Sequence, residues 1–232
     1  MDQTILEVED KAIAETQRFF VKVYGWMSAA LIVTGLVAVA AGSNAEFMNL
    51  ILGSQYFFIV LLFAELLLVA SLVSWIMKMT SQTAAFVFLL YSVLNGLTIS
   101  VIFLLFTTDS IASTFFITAG TFAIMSIYGF FTKSDLTKLG NLLLMCLVGL
   151  IIASLINIFY QNESLYWITT YAGVLIFVGL IAFDTQKIKK LNITGNEGTE
   201  TDKKESIIGA LTLYLDFINL FLMLLRIFGK RR

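Results

Sequence analysis

The 232-residue chain has no histidine, no proline and one cysteine, Cys146, and only 13% of its residues are charged. Without histidine it lacks the commonest transition-metal ligand and the usual neutral-pH base, so any proton chemistry falls to carboxylates. A lone cysteine inside an apolar run excludes a disulfide framework and a thiolate metal cluster. Without proline, the broken helices that build many transporter sites need another origin, and flexibility falls to glycines such as Gly96, Gly120, Gly149, Gly173 and Gly179. A net charge of −1 is not the electrostatic footprint of a nucleic-acid binder.

What remains is apolar. The chain is 59% hydrophobic, against roughly 45–50% for a soluble domain. Seven runs, near 23–42, 56–77, 84–106, 112–131, 140–160, 166–186 and 207–228, each approach the roughly 20 residues that a membrane-crossing helix needs. They are about twice the length of barrel strands and do not alternate. An all-α integral membrane protein is expected. It divides into a segment 1–22, a transmembrane domain 23–229 with a polar loop 191–206, and a basic tail 230–232. The loop reads as a solvated linker, with docking of a partner as the other reading. Asn162 and Asn192 open glycosylation triplets, a weak pattern.

Eleven of the fifteen basic residues fall in the leading segment and the three connections on the same side. The loops near 43–55, 107–111 and 161–165 have none. The positive-inside rule therefore predicts a cytoplasmic N-terminus. Seven crossings then put Arg226, Lys230, Arg231 and Arg232 on the outer side. Either the last helix crosses against its charges or it is re-entrant.

Three acids sit where acids are costly: Glu65, Asp184 and Asp216. A carboxylate at mid-span costs about 3 kcal/mol on insertion scales. Asp216 is four to nine residues into the predicted last helix, roughly 6–14 Å deep. Asp184 lies near the inner end of the sixth helix, so the two could face each other. Like charges in such a place cannot both ionise easily, and the pair would share a proton. Deprotonated, they repel and become hard oxygen ligands for calcium. The plainer reading of Asp184 is an ion pair with Lys187, one turn on; that of Asp216 is a protonated structural residue. Glu65, near mid-span of the second helix, is open between function and structural hydrogen bonding. Asn95, Asn157 and Asn219 read as interhelical hydrogen-bonding groups, Asn219 being the best placed to meet Asp216. Trp26, Trp75 and Trp167 suit an interfacial belt.

The stretches RFFVKVYGWMSAALIVTG (18–35), YGFFTKSDLTKLG (128–140), LINIFY (155–160), LIAFDTQKI (180–188) and LYLDFINLFLMLLRIFG (213–229) resemble the Bax inhibitor-1 family in its bacterial branch. The resemblance implies a seven-helix bundle with the last helix central, located in the bacterial inner membrane. It implies a pH-sensitive calcium leak channel whose sensor is an aspartate pair, here Asp184 and Asp216. It further implies that the protonated pair holds the closed state and that its deprotonation favours the open one. Glu65 falls where the family can place a pore-lining acid. One departure stands out. Where relatives can carry an arginine that latches onto the pair, this chain reads SWIMKMTSQ with only Lys78, which lacks arginine's bidentate fork.

The expectation is a passive pathway for calcium and protons through the bilayer, with Asp184 and Asp216 as the oxygen ligands that calcium meets, no cofactor and no catalytic constellation. Three acids are few against the six to eight oxygens of a calcium site, so conduction should be weakly selective. The alternative is a regulator that binds other membrane machinery, such as a membrane-anchored ATP-dependent protease, or that suppresses stress-induced death. An intramembrane aspartyl protease would need a glycine-rich motif where the chain has LYLD. A proton-coupled transporter lacks its usual repeats and broken helices.

Overall fold

In the computed structural model the described residues are 2–53, 55–191 and 195–232. The elements are α1 (Asp2–Gly42), α2 (Ala45–Gly53), α3 (Gln55–Trp75), a 3₁₀ turn (Ile76–Lys78), α4 (Ser81–Ile99), α5 (Ile102–Leu105), α6 (Thr108–Phe131), α7 (Thr137–Tyr160), α8 (Glu163–Leu191) and α9 (Glu200–Phe228). Among the described residues seven helices are long and apolar enough to cross a membrane: Lys11–Gly42, Tyr56–Lys78, Ser81–Leu105, Thr108–Phe131, Thr137–Tyr160, Glu163–Leu191 and Glu200–Phe228. The chain is an all-α integral membrane protein. Among the described residues there is no strand, only one bridge between Phe106 and Arg231.

The helices begin earlier than their apolar runs because polar residues cap the first turns. Thr80 Oγ1 accepts from the Thr83 N–H at 3.2 Å, and Asn162 Oδ1 from the Leu165 N–H at 2.9 Å. Such caps satisfy amide donors that the helix itself cannot. Gln161, at φ 48°, ends α7 in the left-handed conformation. α1 runs unbroken from Asp2, so residues 2–22 continue into the first crossing.

The chain forms two compact units, residues 1–105 with 189–214, and residues 106–188 with 215–232. In the first, α1 and α4 approach so closely that a Cβ on Gly96 would lie 2.7 Å from the Thr34 carbonyl oxygen. This unit also holds the α8–α9 connection, which is no free linker. α9 already begins at Glu200, and Glu15 on α1 accepts N–H groups from Gly195, Asn196 and Glu197 at 2.9–3.1 Å. Arg18 pairs with Glu197, and Lys22 with Asp202, both at 2.7 Å. The Asn192 triplet lies outside the described residues.

Removing the carboxylate with Glu15→Ala should release these amides, and limited proteolysis near 195–199 should speed up roughly tenfold, since each lost charge-assisted bond is worth about 1.5–3 kcal/mol. The Arg18 guanidinium bonded to Glu197 holds that carboxyl below its ordinary value. The pair's contribution is therefore present at neutral pH and is lost as pH falls through the lowered value.

In the second unit α9 ends beside the connections that carry no basic residue. The Thr107 N–H donates to the Lys230 carbonyl at 2.9 Å, and Arg226 lies over the Tyr166 ring. α9 is one unbroken helix from Glu200 to Phe228, long and apolar enough for a full crossing, with no break at which a re-entrant helix would turn back. Its apolar window is 67% buried, whereas that of α7 is 6% buried. The helix expected at the centre is the most enclosed of the seven.

Candidate functional site: a buried aspartate pair

Around Asp184, its neighbours on α8 grip the adjacent helices of the second unit. Ala182 packs on Gly129 of α6, where a Cβ would come within 2.2 Å of the Ala182 carbonyl oxygen. The Phe183 ring fills the space a Cβ on Gly140 of α7 would take. Thr185 Oγ1 is 3.0 Å from Ser126 Oγ. Gln186 accepts from the Leu136 N–H at 2.9 Å and donates to the Ser134 carbonyl at 2.8 Å. These four anchors, at 182, 183, 185 and 186, flank Asp184 on both sides and hold α8 in place there.

α9 is fixed by aromatic packing beside Asp216. The Phe217 ring centroid lies 5.4 Å from that of Phe115 and 5.7 Å from that of Phe122. Held this way, the two carboxyl groups are close enough to interact with each other, and both are buried. A hydrogen bond between two carboxyl groups requires a proton on one of them. Asp216 Oδ2 has no partner at all, an unusual cost for a buried oxygen. Asp216 is sixteen residues from the start of α9, roughly 24 Å along the helix axis, but the first turns of that helix, Glu200 to Ser206, are polar.

These geometries meet a sequence match. Residues 16–232 match the family described as inhibitor of apoptosis-promoting Bax1. The chain is 50% identical to inner membrane protein YbhL of Escherichia coli over 94% of both chains.

The chain belongs to the Bax inhibitor-1 family.

A Borreliella burgdorferi member is 42% identical over 98% of both chains. A Lactococcus lactis member, YrjE, is 39% identical over 91% of this chain and 90% of its own.

The other polar residues of this Bax inhibitor-1 member divide into those the fold gathers and those it does not. In the first unit Glu65 is buried near mid-helix on α3, accepting from Thr98 Oγ1 and, at 3.3 Å, from Asn95 Nδ2. The Asn95 amide carbonyl accepts from the Tyr214 hydroxyl at 3.0 Å, and that hydroxyl is 2.7 Å from Thr34 Oγ1. Because Tyr214 spends its one proton on Asn95, it can only accept from Thr34. The Thr34 proton is then shared with the Ser92 carbonyl, 3.0 Å away. Asn95 is thus the interhelical group expected.

The remaining assignments are corrected. Asn219 donates to the Leu215 carbonyl of its own helix at 2.8 Å and does not serve Asp216. Asn157 accepts from the Asn162 N–H at 2.9 Å, closing the α7–α8 turn instead of joining helices. The charge of Lys187 acts on Asp184, although no ion pair within 4 Å joins them and Lys187 Nζ lies 6.0 Å from the Phe183 ring centroid. Lys78 is exposed at the end of the 3₁₀ turn. Tyr214, Thr34 and Thr98 were not foreseen. The usable signal was position 214, a polar-tipped residue in the same apolar run as Asp216.

No group of three or more acids, cysteines or histidines able to hold a metal occurs among the described residues. Asp184 and Asp216 alone offer calcium too few oxygens for tight binding.

Proposed function

We propose that this family member is a pH-sensitive, calcium-permeable leak channel gated by the Asp184–Asp216 pair, with its N-terminus in the cytoplasm. One observation carries the reading: two buried aspartates in contact, one with an oxygen that nothing satisfies. With the shared proton in place the contact is a hydrogen bond. Without it, two carboxylates meet in a poorly hydrated site and repel, which drives α8 and α9 apart at that level. The leak therefore rises with pH. Calcium is the passing ion, attracted by few oxygens and weakly selected. No catalytic role is assigned.

The test is calcium flux into liposomes reconstituted with the full chain, across roughly pH 5 to 8, where a coupled carboxyl pair can lose its last proton. Flux that increases with pH supports the channel. No flux at any pH from folded protein rejects it and favours a regulator that acts by binding other membrane machinery.

A further inference from the structure

In the second unit, where α8 begins and α9 ends, lies a cavity of about 610 Å³. Arg226 and Arg231 line it together with Asn157, Gln161, Tyr166 and Trp167. Glu163 is its one acid, yet no carboxylate lies within ion-pair distance of either guanidinium among the described residues. Arg226 is half-buried, its Cζ 5.3 Å from the Tyr166 ring centroid. A smaller cavity of about 300 Å³ shares Asn157, Tyr166 and Arg226, and adds Ser154, Ile158 and Thr169. Ser154, Asn157 and Ile158 recur on one face of α7 at helical spacing. That places the smaller cavity along the side of the helix whose apolar window is the least buried of the seven.

A guanidinium that no protein acid neutralises, held by a ring and turned to a polar cavity, suits an oxyanion. Its planar fork matches the two oxygens of a phosphate. Tyr166 and Trp167 occupy the level of a helix end where aromatic side chains sit among headgroups. The side groove supplies what a soluble anion does not need, a course along α7 for a hydrocarbon chain. We propose that this double cavity binds an anionic phospholipid, its phosphate between Arg226 and Arg231 and one acyl chain along Ser154 and Ile158. None of these residues belongs to the aspartate pair, so the site stands or falls independently of the channel reading.

The full chain carrying Trp26→Phe and Trp75→Phe keeps Trp167 as its only tryptophan. Its fluorescence would be titrated in detergent with short-chain phosphatidylglycerol, short-chain phosphatidylcholine and inorganic phosphate. Phosphatidylglycerol should produce a saturable change, with the other two at least tenfold weaker. Arg226→Gln and Arg231→Gln should each weaken it about tenfold, and Arg226→Lys should lose less, at unchanged melting temperature. As a readout that does not depend on the fluorophore, native mass spectrometry of the unmodified chain should retain phosphatidylglycerol, and the two glutamine variants should not. Equal binding of phosphatidylcholine, or no effect of either glutamine variant in both measurements, overturns the site. Phosphate binding as tight as phosphatidylglycerol keeps the anion site but overturns its assignment to lipid.

Discussion

Asp216→Asn should abolish the pH dependence of calcium leak and leave flux at its low, acidic-side level throughout. Asparagine keeps the size of the side chain but carries permanent N–H donors. Its amide can donate to Asp184 at every pH, reproducing the protonated pair as a fixed hydrogen bond. Folding should be nearly unaffected, because the partnerless Oδ2 of the wild-type residue has no bond to lose. Asp216→Leu should behave differently. It removes the carboxyl that Asp184 bonds to and leaves a buried polar group unpaired, a defect worth about 1–3 kcal/mol. The check is flux and thermal unfolding of both variants beside wild type. Flux in the asparagine variant that still follows pH would falsify the gating role of Asp216.

Gly129→Ala should destabilise the protein by about 3 kcal/mol or more, at or above the usual range for overpacking. The added methyl would meet the Ala182 carbonyl oxygen at 2.2 Å and its Cα at 2.9 Å. Both are backbone atoms, so no side chain can swing aside. Relief requires α6 and α8 to separate two residues from Asp184, and the surviving protein should leak with a disturbed pH profile. Gly120→Ala, on the same helix, is the internal control. Nothing lies within 4 Å of its Cβ position, and replacing an exposed helical glycine should be neutral or stabilising by up to about 1 kcal/mol. Thermal unfolding in detergent measures both. Equal melting temperatures for the two would contradict the close packing at Gly129.

The seven crossings were legible because lipid demands long apolar runs, and no other fold class needs seven of them. The aspartate pair was legible for the same reason: a charge inside such a run stands out. What escaped were polar atoms that do not. Tyr214 and Thr98 occur freely in apolar helices, and only the fold reveals that they complete the Glu65–Asn95 network. Asn219 and Asn157 escaped differently. An asparagine can serve a neighbouring helix, its own preceding turn or a helix end, and spacing does not choose among them. The 191–206 segment looks solvated by composition, yet Glu15 captures its amides from 180 residues away in sequence. Glycines divide likewise: Gly120 and Gly149 meet open space, whereas Gly96 and Gly179 sit against neighbours that a Cβ would strike.

The central claim is that one proton shared by Asp184 and Asp216 holds the leak closed. The most direct test is infrared difference spectroscopy on ¹³C-aspartate-labelled protein in liposomes, stepped across roughly pH 5 to 8, with calcium flux measured on the same samples. The account predicts a protonated aspartate carboxyl band at the acidic end that fades over the same interval in which flux rises. An absent band, or one that persists while flux increases, would contradict it.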